Sequence, residues 1–148
     1  MYIEELEVGQ VFKLEPVTVS EEEVFSFAEK YDPQPIHIDR EFANNSVFKG
    51  VIASGFQTVA LVWEKWIRAG IHGEEIIGGT GIDHLRWHKP VYPNDTLYTE
   101  VKVSQTKVSS RGSKGTVTFE FIIYKQNNDI TTTFEVNVIL KAKNGSEK

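Results

Sequence analysis

One segment near the middle of the chain is apolar around its whole circumference, and this limits the folds open to the rest. Nearly every residue from 56 to 63 is apolar. Ser54, with Gln57 three residues later, has the pattern of a capping box and predicts a helix start. Gly70 is a candidate helix end. Because a helix that is apolar on all sides is a buried helix, the remaining elements are expected to surround it.

The second half of the chain alternates apolar and polar residues with the period of a β-strand. Residues 97–104, 117–124 and 134–140 have this pattern, which is typical of half-buried antiparallel strands. A further strand is expected at residues 82–88. Turns are expected at residues 93–95 and 127–129, where Asn and Asp tolerate a positive φ.

The first half of the chain is predicted to form a short strand followed by a helix. The strand is expected within residues 11–19. Ser20 and Glu23 form a second capping-box pattern, and apolar residues follow at helical spacing up to Tyr31. Pro33 disfavours helical geometry at the residue before it, so the helix should end near Tyr31. The sequence therefore predicts an α+β fold in which a curved antiparallel sheet wraps around one long central helix.

Length and composition exclude several classes of protein. With 148 residues the chain should form a single domain, 1–148, whose tail at 142–148 is expected to fray. The net charge of −5 argues against a nucleic-acid partner. The absence of cysteine excludes disulfides and thiol nucleophiles. No apolar run is long enough for a membrane span and residues 1–10 do not resemble a signal peptide, so a cytoplasmic location is expected.

The segment 31–37 carries the residues best suited to chemistry. Asp32 and His37 stand five residues apart, and Pro33 and Pro35 stiffen the chain around them. An acid and an imidazole held in this way suit general acid–base catalysis on a shared water. The alternative is a rigid connector after a helix, with His37 as a structural histidine. A metal site is disfavoured because no third ligand has suitable spacing.

The predicted start of the buried helix is a second candidate site. The first turn of a helix exposes unpaired N–H groups and a partial positive charge. Gly55 would let a carbonyl group approach that backbone closely. The alternative is that Gly55 only permits close packing and that Ser54 only caps the helix.

Together these segments resemble a known family. Tyr-Asp-Pro-Gln-Pro-Ile-His at 31–37, Ile-Ala-Ser-Gly-Phe at 52–56, Leu-Arg-Trp at 85–87 and Pro-Val-Tyr-Pro-Asn-Asp-Thr-Leu at 90–97 are similar to motifs of the MaoC-like acyl dehydratases. This family includes the (R)-specific enoyl-CoA hydratases. The resemblance covers nearly the whole chain and implies the hot-dog fold, a homodimer or a dimer of dimers, and acyl-thioester tunnels at the dimer interface.

The resemblance also implies roles for individual residues. Asp32 and His37 take the places of the catalytic pair, and the Gly55 N–H takes the place of the donor that polarises the thioester carbonyl. Substrate contacts are expected from four further residues: Gln34, Ser54, Phe56 and Arg86. The chain departs from proven hydratases at Tyr31, Ser54 and Trp63. At these positions hydratases of the family have glycine, histidine and serine, respectively. These departures leave the Asp–His pair intact and leave the acyl specificity open.

The implied reaction is reversible hydration of a trans-2-enoyl thioester, carried by coenzyme A or acyl carrier protein, to the (R)-3-hydroxyacyl thioester. No metal or organic cofactor is expected, because coenzyme A enters as part of the substrate. Its phosphates need a local cationic patch. The candidates form two groups: Arg86, His88 and Lys89, and Arg111 and Lys114.

Two other functions remain open alongside hydration. A hot-dog thioesterase usually needs a carboxylate on or just before the central helix, and residues 51–62 contain none. A non-catalytic acyl-thioester-binding protein has no reason to keep an ionised carboxylate facing an apolar chain. His72, His84, Trp66 and Trp87 carry no motif and are expected in structural roles, the tryptophans in the core or at an interface.

Overall fold

The computed structural model describes residues 1–143 and consists of one sheet with four helices. The strands are β1 (Val11–Lys13), β2 (Val17–Thr18), β3 (Ile76–Trp87), β4 (Thr96–Val108), β5 (Lys114–Lys125) and β6 (Ile130–Lys141). The helices are α1 (Glu21–Tyr31), α2 (Pro35–Ile38), α3 (Arg40–Asn44) and α4 (Gly55–Arg68). Single 3₁₀ turns occur at Ile3–Glu5 and Gly73–Glu75.

The sheet is antiparallel throughout and has the order β1-β4-β5-β6-β3, with β2 also paired to β4. The long strands β4, β5 and β6 form its centre, and β3 forms one edge. Helix α4 packs against the inner face through Trp66, which is fully buried with its ring centroid 4.9 Å from Phe119 and 5.8 Å from Phe121. The α+β prediction of a curved antiparallel sheet around a long central helix is confirmed.

Helix α4 is buried on one side only in this single chain. Val62 and Trp66 are fully buried, whereas Phe56 is 59% exposed and Ile67 is also exposed. The expectation of burial on all sides is wrong for one chain, because one sheet covers one side of a helix. The predicted capping box is also incomplete: the Gln57 Nε2 donates to the backbone oxygen of Glu23 at 3.0 Å and does not reach back to Ser54.

Strand β3 begins earlier than predicted and has three register shifts against β6, of which the last, a bulge at His84, bears on the site. It starts at Ile76, ahead of the expected start at residue 82. Asp83 pairs with Glu135 and Arg86 pairs with Thr133, so β3 carries one residue more than β6 between these pairs. His84, inside the bulge, has a φ of 54°. A bulge of one residue reverses which side chains face the inside of a sheet, and this reversal determines the shape of the site described below.

The ends and turns of the chain test several smaller predictions. The expected strand at 11–19 is two short strands, β1 and β2. The turns are confirmed, with φ values of 74° at Asn94 and 69° at Asn128. Ala142 is buried and its N–H donates to the Ser113 oxygen at 3.1 Å, so the tail does not fray at this residue. The rest of the predicted tail, 144–148, lies outside the described residues. Over residues 1–143, no helix has the length and apolar character needed to cross a bilayer.

Candidate active site

The end of α1 and the start of α2 position the Asp–His pair. Ser20 caps α1, accepting from the Glu23 N–H at 3.1 Å. The helix ends at Tyr31, and the N–H of the following C-cap residue, Asp32, donates to the Ala28 oxygen at 2.9 Å. Pro35 is the first residue of α2, a position that suits proline because no N–H is needed there. His37 therefore sits on a one-turn helix, which brings its side chain back beside Asp32.

One hydrogen bond fixes the tautomer of His37. The imidazole is 4% exposed, and its Nδ1 lies 2.6 Å from the backbone oxygen of Ile52. A carbonyl oxygen can only accept, so Nδ1 carries the proton of this bond. In the neutral ring, Nε2 then holds a lone pair. This nitrogen lies 3.4 Å from the Asp32 Oδ2.

Two donors hold the Asp32 carboxylate in place. The Ser54 hydroxyl donates to Oδ2 at 2.6 Å and the Gln34 amide donates to Oδ1 at 2.8 Å. Burial by itself raises the pKa of Asp32, but these two hydrogen bonds and the charge of protonated His37 outweigh burial and lower the pKa below its ordinary value. Asp32 is therefore ionised at neutral pH.

We predict that Ser54→Ala raises the pKa of Asp32, because it removes one of the groups that stabilise the carboxylate. Above about pH 4 the lowered pKa contributes stability, which is lost as the pH falls through the folded pKa. The variant loses part of that contribution together with the α4 cap, at about 1 kcal/mol for the cap. The measurement is a carbon NMR titration of the Asp32 carboxyl, assigned with Asp32→Asn. Ser54→Thr, which keeps a hydroxyl, is the control, and an unchanged Asp32 titration in Ser54→Ala would contradict the prediction.

The start of α4 meets the Asp–His pair at one cavity of about 300 Å³. Within residues 1–143, the Gly55 N–H donates to no protein acceptor. The rest of the lining is mostly apolar and includes Phe48, Ile52, Phe56, Trp87 and Val91, together with the polar Thr58. Asp32, His37 and Gly55, the three predicted catalytic residues, all border this cavity. The residues that carry an ionised carboxylate, an imidazole and an unpaired helix N–H therefore border one small space.

The predicted substrate-contacting residues are placed differently from one another. Gln34 and Phe56 line the cavity. Ser54 is fully buried, and its hydroxyl bonds to Asp32 while accepting from the Phe56 N–H at 3.3 Å, so it orients the acid. Arg86 lies outside the cavity lining, and its Nη1 donates to the Leu85 oxygen. The catalytic and substrate-binding roles of all these residues stay predictions.

The proposed phosphate-binding groups also differ in position. His88 and Lys89 line the cavity, although Lys89 forms an ion pair with Asp129 at 3.2 Å. Arg111 lies in the turn between β4 and β5 and Lys114 is the first residue of β5, and neither residue lines the cavity. Across residues 1–143, no three His, Asp, Glu or Cys side chains are grouped as metal ligands would be.

Trp87 is a site residue that the sequence reasoning did not assign to the cavity. It was expected in the core or at an interface; Trp66 is in the core, whereas Trp87 is half-exposed in the single chain and its indole lines the cavity. The bulge at His84 is the reason. Trp87 pairs with Thr132 on the inner face of β6, and Arg86 pairs with Thr133 on the outer face. Without the extra residue, strand alternation would place Arg86 inside and Trp87 outside.

Comparison with known proteins identifies the family of this chain. The family model described as a MaoC like domain matches residues 4–123. The chain belongs to the MaoC-like family. A MaoC-like dehydratase from Rhodospirillum rubrum has a crystal structure that matches with a TM-score of 0.89 and 30% identity, over 97% of this chain and 98% of that one. The MaoC-like chain therefore has the hot-dog fold, as the resemblance implied.

Two further relatives of this MaoC-like protein differ in what is known of them. The (R)-hydratase PhaJ1 from Pseudomonas aeruginosa, in its unliganded form, matches with a TM-score of 0.74 and 26% identity, over 96% of this chain and 86% of that one. The uncharacterized protein YdeM of Bacillus subtilis (strain 168) is 39% identical over 141 residues, which is 95% of this chain and 99% of that one. Membership of a family that includes (R)-hydratases supports a hydratase or dehydratase activity in general terms.

Proposed function

We propose that the protein catalyses the reversible hydration of trans-2-enoyl thioesters to (R)-3-hydroxyacyl thioesters. The observation that carries the proposal is the convergence of the Asp32 carboxylate, the His37 Nε2 and the free Gly55 N–H on one cavity. The 26% identity to an (R)-hydratase over most of both chains supports the same reaction. The reaction uses no cofactor, and coenzyme A or acyl carrier protein enters as the carrier of the acyl group.

The Asp–His pair has the geometry to bind and polarise one water molecule. Asp32 Oδ2 and His37 Nε2 are 3.4 Å apart, and each is an acceptor when the acid is ionised and the ring is neutral. A water that donates one hydrogen to each acceptor keeps its own lone pairs free for the substrate. The Ile52 carbonyl holds the ring in the tautomer that leaves Nε2 unprotonated.

The reaction then follows from these protonation states. His37 Nε2 takes one proton from the water, the oxygen bonds to carbon 3, and the double-bond electrons move through carbon 2 onto the thioester oxygen. Asp32 remains ionised and stabilises the imidazolium. The imidazolium Nε2–H returns the proton to carbon 2 on the same face, so one water is added and no atom or charge is left over.

The start of α4 supplies the third part of the site. Negative charge develops on the thioester oxygen as water attacks, and the Gly55 N–H with the positive end of the helix is directed at that charge. A donor of this kind is typically worth about 2.7–4 kcal/mol in the barrier. Because it is a backbone group, its effect does not depend on the residue at position 55 beyond the space that the residue takes.

The proposal is tested by incubating the protein with crotonyl-CoA. Hydration removes the conjugated absorbance and releases no free thiol, so both quantities are followed together. Loss of absorbance without thiol supports the proposal, and thiol release indicates hydrolysis of the thioester. Binding without either change identifies a non-catalytic acyl-thioester-binding protein and contradicts the proposal.

We also propose that two copies pair through β3. This strand of twelve residues is a sheet edge with exposed apolar side chains, among them Ile77 and Ile82. A long apolar edge is a site of strand pairing, and a twofold axis lets the same strand of a second copy complete it. The side of α4 that the sheet of one chain leaves uncovered gives the partner an apolar surface to bury.

We expect Ile82→Lys to convert the dimer to a monomer, because it places a charge in the paired apolar edge. Light scattering coupled to size exclusion measures the mass of each form. Val8→Lys, at an exposed apolar residue just before β1, the strand at the opposite end of the sheet order from β3, is the matched control and should stay dimeric. A wild-type monomer, or a dimer that survives Ile82→Lys unchanged, contradicts pairing through β3.

A further inference from the structure

The indole of Trp87 lies directly against the first residue of α4. A Cβ added to Gly55 would lie 2.1 Å from Cε2 and 2.3 Å from Nε1 of that indole. Real Cβ atoms do not approach other heavy atoms so closely, so glycine at position 55 is what allows the ring to lie there. The ring therefore occupies the space immediately beside the amide that the proposed reaction uses.

Local structure holds the indole in this position while one side of it stays open. The Phe56 ring packs edge to face against it, with centroids 5.1 Å apart and planes at 77°. The β3 bulge directs Trp87 inward opposite Thr132. The residue is nevertheless 48% exposed. Trp87 therefore forms one wall of the cavity beside Gly55.

We propose that Trp87 is a specificity-determining residue, which restricts the site to thioesters unbranched at carbon 2. The inference rests on the proposed function. A carbonyl oxygen that accepts from the Gly55 N–H lies about 2.9 Å from the nitrogen, which places the thioester carbon and carbon 2 within a few bond lengths of the residue that the indole adjoins. The indole already fills one side of that space. A straight chain passes alongside the ring, whereas a methyl branch at carbon 2 meets it.

The first test measures binding, independently of catalysis. Butyryl-CoA and isobutyryl-CoA have the same number of carbons, differ in a branch at carbon 2, and are saturated, so neither is hydrated. We expect wild type to bind butyryl-CoA at least ~10-fold more tightly, since one misplaced methyl group in an apolar pocket is worth about 10–200-fold. Trp87→Ala should reduce this ratio to less than about 3-fold. Calorimetry gives both dissociation constants.

Two variants serve as controls for the binding test. Gly55→Ala keeps the N–H but pushes the indole away, so it should lose discrimination as Trp87→Ala does, and the two changes combined should lose no more. Trp63→Ala removes an indole of α4 outside the cavity lining and should keep the wild-type ratio. If Trp87→Ala fails to fold, Trp87→Phe replaces it, with an intermediate ratio expected. A wild type that binds neither ligand, or a ratio that Trp87→Ala leaves unchanged, overturns the inference.

The second test separates this inference from the proposed function. Crotonyl-CoA and its 2-methyl derivative are compared as substrates by kcat/KM. We expect Trp87→Ala to raise the value for the branched substrate relative to the straight one by at least ~10-fold. A wild type that hydrates neither substrate but binds butyryl-CoA with Trp87-dependent selectivity overturns the proposed reaction alone. Hydration with selectivity independent of Trp87 overturns the role of Trp87 alone.

Discussion

Asp32→Asn is expected to lower kcat/KM for hydration of crotonyl-CoA by about 10³-fold, which is about 4 kcal/mol in the barrier. The asparagine amide has nearly the shape of the carboxylate but carries no charge. As a neutral amide it accepts hydrogen bonds from water and from the Ser54 hydroxyl less strongly, and it cannot stabilise an imidazolium at the 3.4 Å separation from His37. Steady-state kinetics at neutral pH measures the effect.

His37→Gln should have an effect of similar size, and the double variant should lose little more than either single one. Groups that act as a unit are strongly non-additive, because removing one already disables the other. Asp39→Asn is the matched control: Asp39 caps α3, accepting from the Phe42 N–H at 3.0 Å, and asparagine caps a helix equally well. Losses that simply add for Asp32 and His37, or an equal loss in Asp39→Asn, would contradict the shared water.

Trp66→Ala is expected to lower the free energy of unfolding by about 3–5 kcal/mol. Trp66 is fully buried between α4 and the sheet, and it packs on Phe12, Phe119 and Phe121. A cavity at this position separates the central helix from the strands on which it rests. For a chain of this size the corresponding fall in the thermal midpoint is about 6–20 °C. Urea denaturation at a fixed protein concentration measures the change.

Trp66→Phe separates the packing of the ring from its hydrogen bond. The Trp66 Nε1–H donates to the His72 Nε2 at 2.9 Å. Burial lowers the pKa of His72, and the N-terminal ammonium group lowers it further, so the ring is neutral and able to accept. The phenylalanine fills most of the space but leaves this acceptor unpaired, at about 1–3 kcal/mol. A loss in Trp66→Phe as large as that in Trp66→Ala would show that packing is not the main contribution.

The fold was predictable because two strong patterns in the sequence agree. An apolar helix needs cover, and strands that alternate at residues 97–104, 117–124 and 134–140 supply a sheet with one apolar face. The sequence does not say how much of that cover a single chain provides. Phe56 and Ile67 remain exposed because the sheet reaches one side of α4, and helical periodicity does not distinguish a partner subunit from the same chain's sheet.

The candidate site was predictable only in part. Asp32, His37 and Gly55 were accessible from local motifs, because prolines and a helix start are local features. The position of Trp87 was not predictable, because its orientation depends on one extra residue in β3 near His84. A bulge of this kind has no signature in the alternation of apolar and polar residues. The positive φ of a histidine within a strand is a backbone property that residue type does not reveal.

The role of Ser54 shows a second limit of sequence reasoning. Its capping function is local and was recognised, since it lies at the start of α4. Its hydrogen bond to Asp32, twenty-two residues earlier in the chain, depends on how α1 ends beside α4. The Ser54 hydroxyl therefore accepts from a backbone N–H at the start of α4 and also holds the Asp32 carboxylate in place. Only the tertiary structure displays both contacts.

The central claim is that Asp32, His37 and the Gly55 amide together add water to an enoyl thioester. The most direct measurement is the chiral analysis of the product that wild type forms from crotonyl-CoA, with Asp32→Asn as the inactive reference. We expect (R)-3-hydroxybutyryl-CoA and no free coenzyme A. Formation of the (S) product, release of thiol in place of hydration, or full activity in Asp32→Asn would contradict it.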